Sequence, residues 1–349
     1  MGNERLSPGL LPMASDNSTS GFTAPDLVLV TGATGFIGSA ICRELIRRGF
    51  RVRVLHRAAS SLFAIQDLAV ERVVGDILDP AGLHAAVDGV GWVFHVAAQS
   101  DYWKHARGVV EAAVAGTANV VDAAREAGAR RLVLTSSVAA LGVPRGGRPL
   151  TEADTYNLRP DEFPYGYGKY MSEREALERG GDSLEIVIVN PSVVLGPGDV
   201  HEISGSLVIE TARGRAVFWM DGGVNLVHIA DVADGHLAAM AMGRPGERYI
   251  LGGENRTHRE VFATLAEIVG RRPPWLKIPR WALGPAAAAV DALRVLIPLP
   301  LDGDQLRMSG HYLFCDTSKA QRELSMGEPR SFRQAAQETF DWYRAQGVV

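Results

Sequence analysis

The chain has 349 residues, 46% hydrophobic and 22% charged, with a net charge of −4. That balance suits a globular protein of one large domain or two associated ones, and offers no basic stripe for nucleic acid or an anionic membrane surface. The arginine pairs at 47–48, 130–131 and 271–272 are isolated and read as solvated helix ends. Cys42 and Cys315 are the only cysteines, and no Cys/His cluster has metal-ligand spacing. Free thiols in a reducing, cytoplasmic compartment and no bound metal are therefore expected.

Residues 1–25 mix Ser, Asn, Gly and Pro, which predicts a disordered tail rather than an export signal. Leu27, Val28, Leu29 and Val30 then predict a short buried strand running into TGATGFIG at 31–38. Apolar positions at Ile37, Ile41, Leu45 and Ile46 predict a helix after it. Strand, glycine turn and helix start together make an anion site, because the backbone can approach a pyrophosphate and free N–H groups face it. Gly32 and Gly35 are separated by two residues, not by the one of the commonest dinucleotide fingerprint.

RVRVLH at 51–56 predicts a second strand, which ends in His56 and Arg57 with no carboxylate for ribose hydroxyls. A guanidinium there suits a ribose phosphate, so NADP is favoured over NAD, with an unrelated surface arginine as the alternative. A strand at 71–74 leads into Gly75, Asp76 and Ile77, and a helix at 80–87 follows. A fourth strand at 92–96 opens onto Ala97, Ala98 and Gln99. A long helix at 109–127 and a strand at 132–134, stopping at Thr135, Ser136 and Ser137, continue the alternation. Such alternation predicts an α/β parallel sheet with helices on both faces, whose ligands sit beyond the carboxyl ends of the strands. Gly32, Arg57, Asp76, Ala97 and Ser137 all fall at such ends.

PYGYGK at 164–169 carries the candidate chemistry. Tyr165 and Lys169, four apart, share one helix face, whereas Tyr167 would point away. An ammonium beside a phenol is expected to lower the phenol's pKa. Tyr165 could then exchange a proton with a substrate oxygen steadied by Ser137 while a nicotinamide carries hydride. Most tyrosine–lysine pairs are ordinary helix surface; the glycine turn upstream favours the catalytic reading.

Together these motifs resemble the extended short-chain dehydrogenases/reductases of the NAD-dependent epimerase/dehydratase type. The matching segments are TGATGFIG (31–38), GDILD (75–79), HVAA (95–98), TSS (135–137), Tyr165 with Lys169, and NPSVVLGPGD (190–199). NLVHIADVADGHL (225–237) and GERYILGGEN (246–255) are closer to dihydroflavonol-reductase-like proteins and hopanoid-associated sugar epimerases. The resemblance implies a Rossmann-type doubly wound parallel sheet over 26–197, with 224–242 returning to it, and a smaller C-terminal substrate domain over most of 198–349. It implies Ser137, Tyr165 and Lys169 as catalytic residues, Lys169 also binding the nicotinamide ribose. Gly32, Thr34, Gly35, Phe36, Ile37 and Gly38 would hold the cofactor's pyrophosphate side, Asp76 and Ile77 would flank adenine, and Ala97, Ala98, Pro191 and Val193 would line the cofactor. Relatives commonly dimerise through the long helix and the tyrosine helix, so a homodimer is implied.

Three departures qualify the resemblance. Gly166 and Gly168 stand in the tyrosine helix, each costing about 1 kcal/mol there, which leaves the helix start open. Val138 and Ala139 replace the acid pair that dehydratases use for water elimination. Gly223-Val224-Asn225 lacks the arginine that grips a nucleotide diphosphate in the sugar epimerases, which argues for a less charged substrate.

In the C-terminal third, Phe218, Trp219, Trp275, Trp281, Leu293 and Leu296 are expected in the core or on the wall of a substrate cleft, and Asp101-Tyr102-Trp103 could close over it. The apolar run 281–301 is broken by Pro285, Pro298 and Pro300 and carries Asp291 and Arg294, so no membrane span is expected. A core helix or lid is favoured there, with membrane-surface contact as the lesser alternative. His228 is read as a packed strand histidine. The sequence thus points to an NADP-preferring oxidoreductase acting on a carbonyl or alcohol of a mostly apolar small molecule. A sugar epimerase working by transient oxidation is the runner-up, and a non-catalytic dinucleotide sensor comes last.

Overall fold

Leu27–Thr31 is buried at all five positions, as a strand covered on both faces requires. The computed structural model describes residues 27–98, 106–202, 204–294 and 303–349. The expected tail at 1–25, Gln99, the 101–103 run and Leu296 lie outside the described residues.

The first half alternates as expected: β1 (Leu27–Thr31), α1 (Phe36–Arg47), β2 (Arg51–His56), β3 (Glu71–Val74), α2 (Pro80–Val87), β4 (Trp92–His95), α3 (Ala106–Glu126), β5 (Arg131–Thr135), α4 (Pro164–Gly180) and β6 (Glu185–Pro191). Then come β7 (Val193–Leu195), α5 (Ser206–Ala212), β8 (Phe218–Met220), β9 (Gly223–His228), α6 (Ile229–Met242), β10 (Arg248–Leu251), β11 (Glu254–Thr257) and α7 (His258–Val269). The chain closes with β12 (Leu276–Ile278), α8 (Leu283–Arg294), α9 (Gly303–Met308), β13 (Tyr312–Leu313), α10 (Ser318–Glu323) and α11 (Phe332–Ala345).

Seven parallel strands form the main sheet in the order β10-β6-β5-β4-β1-β2-β3, with helices on both faces. One row of paired residues crosses it: Val73, Leu55, Thr31, His95, Leu134, Ile188 and Arg248. Gly32, Arg57, Asp76, Ala97 and Ser137 each follow this row within three residues, so one edge of the sheet presents them all. The two faces are filled separately. Val30, Val54, Phe94, Val133 and Val189 pack with α1 and α6, and Leu29, Val93, Leu132 and Ile188 pack with α2 and α3.

Two placements differ from expectation. β10 is the seventh main-sheet strand, although residues from Arg248 onward were expected in the smaller domain. β9 instead joins a second sheet with β7, β11 and β13, and of the stretch 224–242 it is α6 that returns to the main core. The hydrophobic pattern of β9 and β10 is alike, and only long-range pairing separates them. The second sheet shares a core with α5, α7 and α11, while β8, β12, α8 and α9 enclose a small third cluster around Met220, Leu283, Ala287 and Leu306. No helix of the described residues is long and apolar enough to cross a membrane.

The cysteines are free and buried, Cys42 in α1 and Cys315 in an isolated bridge to Leu150 beyond β13 rather than in a strand. Burial pushes both thiols up to about 12. Among the described residues no His/Cys/Asp/Glu group could hold a metal ion.

Candidate active site

The glycine turn is sterically obligatory. Gly32 adopts φ +72°, and a Cβ there would lie 2.6 Å from the Ala97 amide nitrogen. A Cβ on Gly38 would overlap the Gly32 carbonyl oxygen, so β1 and α1 touch backbone to backbone. α1 begins at Phe36 behind Gly35 with no side-chain cap, which leaves its first N–H groups for an anion. Thr34, Gly35, Phe36 and Ile37 are half-buried around this start. Bare backbone, a helix start and a positive-φ glycine fit a dinucleotide pyrophosphate. Arg57 is exposed just past β2, and its carbonyl accepts from Ser60 N.

A buried histidine braces the same edge. Thr31 Oγ1 accepts from Ala97 N (3.2 Å), so its proton is free for His95 Nδ1 at 2.7 Å. Thr117 Oγ1 donates to Ala113 O and can accept from His95 Nε2 at 3.4 Å. The count of donors assigns the Nε2–H tautomer. Burial, with Lys169 nearby, lowers the His95 pKa to about 3, so it stays neutral. Asp76 accepts from Leu78 N, and Ile77 is fixed by Asn119 Nδ2 on its carbonyl and by close packing on Gly116 of α3. Ala97 is half-buried and Ala98 exposed; Pro191 is buried at the end of β6, and Val193 is 37% exposed in β7.

α4 starts at Pro164, which needs no N–H at that position, and both glycines lie inside the helix. Their cost is explained by contact. A Cβ on Gly166 would lie 2.6 Å from Ala139 O, and one on Gly168 would only graze Val110 of α3. The close seat at Gly166 brings Tyr165 against the turn after β5, where its hydroxyl hydrogen-bonds the Ser137 side chain. Ser137 Oγ also accepts from Ala139 N at 3.2 Å, capping the short 3₁₀ turn Val138–Leu141. Lys169 Nζ donates to Thr135 O at 2.9 Å. Tyr165, Lys169 and Ser137 therefore meet at the C-terminal end of β5. Tyr167, as expected, is elsewhere, lining a groove between α3 and α4 with Val114 and Met171.

The electrostatics differ from expectation at one point. Burial dominates at Tyr165 and raises its pKa, with the Ser137 hydrogen bond opposing; the lysine is not what sets it. Lys169 is itself lowered to about 8 by burial, opposed by the Glu173 carboxylate. Lys169 Nζ donates to Thr135 O, and the charge acting on it is that of Glu173.

Glu173 was missed by sequence reasoning, although it repeats the spacing of Tyr165 and Lys169 one turn further along α4. It is 3% exposed, and burial raises its pKa against the pull of Arg248, Asn190 and Lys169. Asn190 Nδ2 donates both to Glu173 Oε1 (2.7 Å) and to Ser137 O (2.9 Å), and Arg248 lies 3.3 Å from the carboxylate. His236 of α6 was also missed. Its Nδ1–H donates to Val232 O at 2.7 Å, so Nε2 receives the Thr135 hydroxyl at 2.9 Å, and burial lowers its pKa to about 4. Asn190 stood inside a matched segment without an assigned role; Arg248 and His236 become visible only through contacts across the sheet.

The departures have structural counterparts. Val138 packs on Leu141, Leu150, Ile250 and Cys315. Asn225 is spent on structure: its amide donates to Gly253 O and Asn255 Oδ1, and its oxygen accepts from Gly253 N, tying β9 to β11. His228 is 3% exposed, caps α6 through Ala230 N and meets Glu338 at 2.9 Å.

The profile of the NAD dependent epimerase/dehydratase family matches residues 28–252. The chain belongs to this family. Epimerase/dehydratase relatives include a provisionally named dihydroflavonol 4-reductase of Synechocystis sp., 36% identical over 93% of this chain and 96% of its own. Sterol demethylase protein B of Methylococcus capsulatus is 32% identical over 92% and 99%. The crystal structure of gox2253 superposes with a TM-score of 0.82 at 37% identity, covering 93% of this chain and 99% of that one. Within the epimerase/dehydratase family the chain is an NAD(P)-dependent oxidoreductase of the extended short-chain dehydrogenase/reductase type, acting on CH–OH or carbonyl groups.

Proposed function

We propose that this protein is an NADP-preferring reductase of a carbonyl, or dehydrogenase of the matching alcohol, on a mostly apolar small molecule. The observation that carries the proposal is the Ser137–Tyr165 hydrogen bond, with Lys169 one turn further along the same face of α4. Gly32, Thr34, Gly35, Phe36, Ile37 and Gly38 would hold the pyrophosphate, Arg57 a ribose phosphate, Asp76 and Ile77 the adenine side, and Lys169 the nicotinamide ribose. Ala97, Ala98, Pro191 and Val193 would line the rest. A bound nicotinamide supplies or accepts the hydride. In the reductive direction Ser137 and Tyr165 hold the carbonyl oxygen, and the Tyr165 hydroxyl delivers the proton that completes the alcohol. A neutral, buried phenol suits that direction, because the proton is still on it.

The absence of an arginine in Gly223-Val224-Asn225 itself supports a substrate without a diphosphate. The α3/α4 groove of about 490 Å³ suits the homodimer implied by family resemblance, and buried free thiols suit a cytoplasmic setting.

Purified protein with NADPH or NADH and a panel of aromatic, alicyclic and aliphatic ketones should consume the cofactor. Tyr165→Phe should lower kcat by about 10²–10⁴-fold with cofactor Kd nearly unchanged; undiminished turnover would sink the role. Arg57→Glu should weaken NADPH binding far more than NADH binding, and equal effects would remove Arg57 from the ribose phosphate. Sugar interconversion with no net cofactor use would instead favour the epimerase.

A further inference from the structure

The residues 271–282, RRPPWLKIPRWA, break with the rest of this acidic chain: four cations and no carboxylate in twelve positions. Trp275 and Trp281 are each 81% exposed, the most exposed of the large hydrophobic side chains among the described residues. They correct the expectation that both would be core or cleft wall. Between them runs β12, paired with β8. Leu276 N donates to Val217 O, and these two apolar side chains are 48% and 47% exposed beside Trp275. The tryptophans are six positions apart, so their Cα atoms are within about 20 Å of each other.

The framework behind the tryptophans is packed. Ile278 and Phe218 lie against Met220, Leu283, Ala287 and Leu306, so the short sheet and α8 form a firm base. The cations divide in two. Lys277 is held by Asp221 at 2.9 Å and lies 5.1 Å from the Trp219 ring, and Arg271 donates to Ala212 O. Among the described residues Arg272 and Arg280 have neither an ion pair nor a hydrogen-bonding carboxylate.

We propose that the face carrying Trp275, Leu276 and Trp281, with Arg272 and Arg280, docks on the surface of an anionic lipid bilayer. Indole rings favour the level between headgroups and acyl chains, where the ring is dehydrated and the N–H stays hydrated. The Arg272 and Arg280 guanidinium groups beside them meet lipid phosphates and add an attraction that salt weakens. The net charge of −4 would repel the rest of the molecule from the same surface, which selects this face for contact. Contact is through this face alone; among the described residues no helix is long and apolar enough to cross the membrane. The proposal is independent of the catalytic reading, since docking requires no turnover.

Full-length protein is sedimented with vesicles of phosphatidylcholine alone and with vesicles containing 30% phosphatidylglycerol, at low and high salt. Wild type should pellet with the anionic vesicles, several-fold less with neutral ones, and less at high salt. Trp275→Ala with Trp281→Ala should cut the partition coefficient at least ten-fold, and Arg272→Glu with Arg280→Glu should remove the preference for anionic lipid. Both double variants should keep the wild-type circular dichroism, NADPH affinity and sedimentation coefficient. No wild-type binding to either vesicle, or unchanged binding by the tryptophan variant, overturns the proposal. So does a smaller sedimentation coefficient for the tryptophan variant without lipid, which would make this face a contact between copies of the chain.

Discussion

At the residue scale, Glu173 opposes the effect of burial on the lysine. Its carboxylate raises the Lys169 pKa while burial lowers it, and burial wins at about 8. Glu173→Gln removes the raising influence, so the Lys169 pKa should fall further. The high-pH limb of kcat/KM, read as loss of the ammonium, should move to lower pH, with the low-pH limb in place. An unmoved limb would assign Glu173 to packing only. Glutamine can still accept from Asn190 Nδ2, so the Ser137 carbonyl keeps its partner and the shift isolates the charge. The spacing of Glu173 from Lys169 was open to view in the sequence. Its importance was not, because burial and the approach of Arg248 belong to the tertiary structure.

At the element scale, the tyrosine helix shows why a propensity argument alone left the start of α4 open. Two glycines lower its intrinsic stability by about 1 kcal/mol each. Gly166 is nonetheless required where α4 crosses the 3₁₀ turn after β5, because a methyl group would meet Ala139 O. Gly166→Ala should improve helix propensity yet displace α4 from β5, separating Tyr165 from Ser137. The expected result is a loss of about 10²-fold in kcat with little change in NADPH Kd, measured by steady-state kinetics and cofactor titration. An active Gly166→Ala enzyme would mean that the seat can yield. Sequence pattern placed the first-half elements to within a few residues because each shows its own period and terminators. β9 and β10 were misassigned because a short strand does not record which sheet it joins.

For the whole molecule, two buried neutral histidines bind the carboxyl-end edge of the main sheet to the rest. His95 links β4 to Thr31 of β1 and Thr117 of α3, and His236 links α6 to Thr135 of β5. Both have pKa values depressed by burial, to about 3 and about 4. Unfolded histidine titrates near 6.5, so between roughly pH 6.5 and pH 4 the unfolded state holds more protons than the folded one, with the excess approaching two near pH 5. Stability should therefore fall on acidification across that window, by about 1.4 kcal/mol per pH unit for each histidine at the steepest. Below about pH 3 their contribution is gone. Denaturant unfolding of the wild type and of His236→Gln between pH 4 and pH 7 measures this, and the variant should lose about one proton from the slope. An identical slope would show that His236 does not titrate on unfolding.

The amino-acid sequence by itself determined the opening glycine turn, the βα alternation and the tyrosine–lysine spacing. Each is a local pattern, imposed by backbone sterics or by helix and strand periodicity. The absence of a dehydratase acid pair and of a diphosphate-binding arginine was equally local and equally readable. Only the tertiary structure decided that burial outweighs Lys169 at Tyr165, that Glu173 and Asn190 stand behind the end of β5, and that β10 completes the main sheet. It also decided that Trp275 and Trp281 face outward. Hydrophobic pattern records what a side chain would gain by burial, whereas desolvation, charge pairing and exposure depend on which distant elements arrive beside it.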